Sequence, residues 1–155
     1  MAILKKFTKN TYVVLGSAVV LLIAFIIAVV SGTTGYMAGK AVNGLIVAFS
    51  LIALIILAAL PFVSSKIGKI PTDILLVAAG ALIAVTTCVL IWDRVTLAAD
   101  VWFIPVNYPE AEEAALNVSI VGAVFYLISF VGVCVSSFFD DPLLKDEAKE
   151  TPEEA

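Results

Sequence analysis

The chain has 155 residues, of which 62% are hydrophobic and 14% charged, with a mean hydropathy of +1.12. Soluble domains are roughly 45–50% apolar and about 25% charged, and a chain this small cannot hide the excess in a core, so it must face lipid. A net charge of −4 argues against the basic patch that a nucleic-acid partner needs, and the absence of histidine excludes His-ligated haem, His-containing metal sites and every catalytic triad that needs imidazole.

The chain opens on a short basic segment with Lys5, Lys6 and Lys9, followed from Val13 to Val30 by eighteen residues without a charge. About twenty apolar residues cross the hydrocarbon core as a helix, whereas the apolar region of a signal peptide is about 7–15 residues. An uncleaved first span over about 13–31 is therefore expected. Ser31 to Lys40 reads as a tight tip, with Gly32, Gly35 and Gly39 for permissive backbone and Tyr36 for an interfacial position. The second span covers about 41–62, with Pro61 marking its end, and the connection after it carries Lys66 and Lys69. Pro71-Thr72-Asp73 then suits a helix start: proline in the first turn, a hydroxyl as cap and a carboxylate at the positive helix end. The third span is expected over 73–92 and the fourth over 110–139, where Asp140-Asp141-Pro142 stops it. Residues 1–139 thus form one membrane domain. Residues 140–155 hold seven of the thirteen carboxylates and read as a disordered acidic tail with too little apolar content to fold.

Orientation follows from lysine and arginine placement. With both termini cytoplasmic, the inner side holds Lys5, Lys6, Lys9, Lys66, Lys69, Lys145 and Lys149, and the outer side only Lys40 and Arg94. This positive-inside bias predicts an all-α integral membrane protein: an antiparallel bundle of four transmembrane helices, multi-pass in the plasma membrane, both termini cytoplasmic. The short first connection and longer outer segment resemble the outline of tetraspanins, but the cysteine-rich loop signature of that family is missing. Small multidrug-resistance transporters carry a membrane-embedded glutamate in the first helix, and Val13 to Val30 has no carboxylate.

The outer segment, 93–116, is where recognition is expected. Asp93 and Arg94 follow Trp92, which suits an aromatic belt, and Val95 to Asp100 can extend the third helix above the membrane. Trp102, Phe103 and Ile104 form an apolar patch, Pro105 and Pro109 flank Asn107-Tyr108, and Glu110, Glu112 and Glu113 open the last helix at its positive end. The patch can dip into the headgroup layer and cap the bundle. Beside Tyr108 and the three acids it can instead serve as a partner-contact surface, since aromatic anchors dominate interfaces. The acids lack the loop geometry of a dedicated calcium site, so no metal or cofactor is expected. Asn117-Val118-Ser119 matches a glycosylation pattern too near the membrane for use.

Small residues repeat at helical spacing: Ala24, Ala28 and Gly32; Gly44 and Ala48; Gly80, Ala84 and Cys88; and Ser119, Gly122, Tyr126, Ser129, Gly132 and Ser136. This is the pattern that lets membrane helices approach closely, so these positions are expected to pack helices, within the bundle or against a partner. Cys88 and Cys134 have no close cysteine neighbour, lie at different depths and are expected to pack as small apolar residues. The deep polar residues Ser17, Ser50, Thr86, Thr87, Tyr126 and Ser129 can bond their own helix, and the spans hold no acid or base for an ion path. No nucleophile has a base beside it, and no glycine-rich phosphate loop occurs. The expectation is a non-enzymatic accessory or scaffold subunit in the lipid bilayer, bound to a membrane protein or to its own copies; the alternative is a small oligomeric transporter or channel for a neutral solute.

Overall fold

The computed structural model describes residues 8–33, 42–103 and 110–139. They form four helices and, among the described residues, no strand: α1 (Lys9–Thr33), α2 (Gly44–Ile67), α3 (Lys69–Phe103) and α4 (Glu110–Ser136). All four are long and apolar enough to cross a membrane, and only 28–39% of each helix's most apolar window is buried. The remainder of each window faces outward, and for such a surface the matching solvent is lipid. This is a multi-pass membrane protein.

Size sorts residues between the two faces. Outward positions carry large aliphatics such as Val19, Ile26, Ile55, Val77 and Ile128, whereas Ala24, Ala28, Ala53 and Ala79 are buried. Burial of apolar area cannot drive association inside lipid, so close packing of small residues and hydrogen bonds take over. The core cluster adds Leu21, Leu57, Ile83 and Leu90, with Tyr126 fully enclosed.

Each helix packs on two neighbours: α1 on α4 and α2, and α3 on α2 and α4, with the α1–α4 seam the most extensive. Contacts fix the register along that seam. Asn10 meets Ser136, Ser17 meets Ser129 and Gly132, and Ile27 meets Gly122. Along α3 and α4, Gly80 lies by Val133 and Arg94 bonds Ser119. Numbers that rise on one helix fall on the other.

Helix ends differ from the sequence expectation at two places. Pro61 does not end α2; it is buried inside a helix that runs on to Ile67. Membrane helices tolerate proline because neighbouring helices and hydroxyls re-satisfy the freed backbone. Gly68, at φ +82°, makes the break, and its N–H donates to the Ser64 carbonyl (3.2 Å). A side chain is strained in that left-handed region, so glycine belongs there. α3 then starts at Lys69, so Thr72 does not cap it; its hydroxyl donates back to the Gly68 carbonyl (2.7 Å). At the far end of this pair, Asn43 caps α2 by accepting from the Leu45 N–H (3.0 Å) and donates to Asp93 Oδ1 (3.3 Å).

α3 has 35 residues, which at 1.5 Å each is about 52 Å against a hydrocarbon core of about 30 Å. About 14 Å of the surplus lies beyond Arg94, where Leu97, Ala115 and Leu116 form a second, smaller core with Ala98 and Val101 packed on it. The outer segment is thus not a loop set apart from the bundle. Over 93–103 and 110–116 it is the continuation of α3 and α4 beyond the level of Arg94.

Candidate functional site

Polar side chains form levels across the bundle. At one end Ser136 donates to Asn10 Oδ1 (2.5 Å), with Thr8 and Thr11 alongside. In the middle Ser129 donates to the Ser17 carbonyl (2.9 Å), and the Ser50 and Tyr126 hydroxyls pair at 2.7 Å. Thr86 and Thr87 instead bond back to the carbonyls of Leu82 and Ile83 on their own helix. At the other end lie Asn43–Asp93 and the bond from Arg94 Nε to the Ser119 hydroxyl (3.0 Å). Ser119 to Ser136 spans seventeen residues of α4, or about 26 Å of helix rise. The two polar ends therefore bracket a slab close to the thickness of the hydrocarbon core.

Arg94, the chain's only arginine, is half-buried at this boundary. A Cβ added to Gly32 would sit 3.7 Å from Arg94 Nη2 and 3.0 Å from Val42, so the small residue on α1 leaves room for the guanidinium. Among the described residues its one hydrogen bond is the link to Ser119, and that hydroxyl itself donates to the Ala115 carbonyl (2.8 Å). Among the described residues the remaining guanidinium N–H groups have no protein acceptor.

Beside Arg94 a groove of about 240 Å³ opens between α3 and α4, lined by Leu90, Ile91, Arg94, Val95, Ala98, Trp102, Leu116, Ser119, Ile120 and Ala123. Apart from the guanidinium and the occupied Ser119 hydroxyl, every lining side chain is apolar, save the indole N–H of Trp102. The groove lies at the outer end of the seam, away from Ser50, Thr87 and Tyr126, which are 1%, 4% and 0% exposed.

No protein-family model, curated protein or solved structure matches the chain. Its site is read from its own residues.

Of the aromatic–acidic surface, Trp102 and Phe103 are 64% and 79% exposed at the end of α3, and Glu110 and Glu113 are exposed at the start of α4. Ile104 and Tyr108 lie outside the described residues. Glu112 departs from its neighbours: it is buried, and among the described residues its Oε2 has no hydrogen-bond partner. Among the described residues no three potential metal ligands come together.

The small-residue repeats divide. Ala24, Ala28 and Gly32 are buried on α1, and Ser119, Gly122, Tyr126, Ser129 and Ser136 on α4, with Gly132 half-buried against Ser17. Gly44 and Ala48 are exposed, so their stripe lies outside this chain's own packing. On α3, Gly80 is buried, Ala84 half-buried and Cys88 exposed. A strict four-residue step overruns the 3.6-residue turn and rotates off the interface. Cys88 is thus a thiol on the outer surface and not packed inside; Cys134 is half-buried, and both are free. What sequence reasoning missed is the pairing of Arg94 with Ser119 and the groove between Ala98 and Ala123. A lone arginine at a span boundary is the signal that points there.

Proposed function

We propose that this protein is a non-enzymatic accessory subunit of the plasma membrane, an antiparallel four-helix bundle with both termini cytoplasmic, that docks on a larger membrane protein through its outer tip. The excess of lysine on the terminal side supports the orientation, and the opposed order of paired residues along α1–α4 and α3–α4 supports the antiparallel arrangement.

One observation carries the docking reading. α3 and α4 continue past the Arg94 level, with Trp102 and Phe103 largely exposed at the end of α3 and Glu110 and Glu113 exposed at the start of α4. Leu97, Ala115 and Leu116 pack under this overhang, so the aromatic anchors stand on helices. Such anchors lose little conformational entropy on binding, and a few aromatic residues commonly carry most of an interface's affinity. The exposed Gly44–Ala48 stripe on α2 offers a second contact, where a partner helix can approach closely.

The test is gentle detergent extraction of the tagged protein from its native membrane, with mass spectrometry of what co-purifies. A stoichiometric membrane protein is expected, its recovery reduced at least about thirtyfold by Trp102→Ala with Phe103→Ala, the equivalent of a loss of about 2 kcal/mol. Recovery of copies of this chain alone would count against docking and favour the oligomeric solute pathway.

A further inference from the structure

We propose that the groove between α3 and α4 holds one phospholipid, its phosphate on Arg94 and an acyl chain along Leu90 and Ile120. The proposal stands whether or not a protein docks at the tip, because the phosphate and acyl chain engage Arg94, Leu90 and Ile120, and the groove shares only Trp102 with that surface.

Three observations identify the occupant. The first is size: about 240 Å³ falls below the roughly 300–1,000 Å³ of sites that enclose a whole small molecule. The lips of the groove, Ile91, Val95 and Ile120, are exposed on the outward face. The space therefore suits part of a larger molecule whose remainder stays in the bilayer. The second is lining chemistry. Walls of aliphatic side chains favour a hydrocarbon chain, and nothing in them selects a polar solute.

The third is charge. Arg94 is half-buried in these walls with one hydrogen bond to protein and, among the described residues, no ion pair. Neighbouring Asp93 attracts the guanidinium through its charge, but its Oδ1 accepts a hydrogen bond from Asn43 and, among the described residues, none from Arg94. Glu112 lies seven residues from Ser119 on α4, about 10 Å further along the helix. A guanidinium with donors to spare at the hydrocarbon boundary is complementary to a phosphate at that depth, where phospholipid phosphates sit. Arginine takes phosphate oxygens by paired, charge-assisted hydrogen bonds.

The test is native mass spectrometry of the purified full chain, delipidated in maltoside and supplied with phosphatidylglycerol or with diacylglycerol of the same chains. One phosphatidylglycerol per chain is expected, retained at least about tenfold over diacylglycerol, which lacks the phosphate. Arg94→Gln, which keeps a donor for Ser119 but removes the charge, should reduce retention about tenfold or more. Ala98→Phe, which fills the groove and leaves the guanidinium intact, should reduce it similarly; Val77→Phe, on an outward face of α3, should not. Equal retention of the two lipids, or undiminished retention by Ala98→Phe, would overturn the proposal. The latter decides it even where Arg94→Gln fails to fold.

Discussion

α4 makes two seams, and they are built differently. Against α1 it presents Gly122, Ser129, Gly132 and Ser136, and the helices come close enough that a Cβ on Gly122 would lie 3.1 Å from Ile27. Hydroxyls cross the gap to Asn10 and to the Ser17 carbonyl. Against α3, at the Arg94 end, Ala98 and Ala123 lie about one turn to either side of the Arg94–Ser119 bond, and a groove opens along them. Small residues thus produce opposite results. Where the opposing helix advances into the space they create, the seam closes. Where a charged side chain must be housed at the membrane boundary, the helices stay apart.

The sharpest way to break this comparison is to overfill the closed seam. A Cβ at Gly132 overlaps the Ser17 hydroxyl, so Gly132→Val should destabilise the bundle by about 3 kcal/mol, measured as loss of helicity in denaturing-detergent titrations. Gly132→Ala should lose less, and part of that loss should return on adding Ser17→Ala, which removes the overlapping oxygen. A strictly additive pair would mean the two residues do not meet. Removing one polar link in the middle is a smaller change. Tyr126→Phe deletes the 2.7 Å hydroxyl pair with Ser50, and about 0.6–1.7 kcal/mol is expected from hydrogen bonds between membrane helices. The smallest effect belongs to the open seam: Ala98→Val should change stability by no more than about 0.5 kcal/mol in the same titration, because the added methyls enter space that is already there. If Ala98→Val disrupts the bundle as much as Gly132→Val, the two seams are not different in kind.

Four membrane-length helices were legible in hydropathy alone, since a lipid-facing surface needs long uninterrupted apolar runs. Faces were harder to read. Gly44–Ala48 and Ala24–Ala28 share one spacing, yet the first pair is exposed and the second buried, because spacing says that residues share a face and not which neighbour covers it. Breaks were ambiguous for a similar reason: Pro61 is a stop signal in water, but inside a bundle it continues the helix, and the positive-φ Gly68 ends it. The Arg94–Ser119 bond joins residues 25 apart in sequence on different helices. No local pattern encodes it; only the register of α3 on α4 does.

The central claim is that the overhang of α3 and α4 is a contact surface. The most direct measurement is photocrosslinking in intact native membranes from a benzophenone amino acid placed at Phe103, against the same probe at Val77 on the outward face of α3. The account predicts a discrete protein adduct of fixed mass from position 103, lost on Trp102→Ala, and only lipid adducts from position 77. Lipid adducts alone from both positions would contradict it and place the tip in the headgroup layer, without a partner.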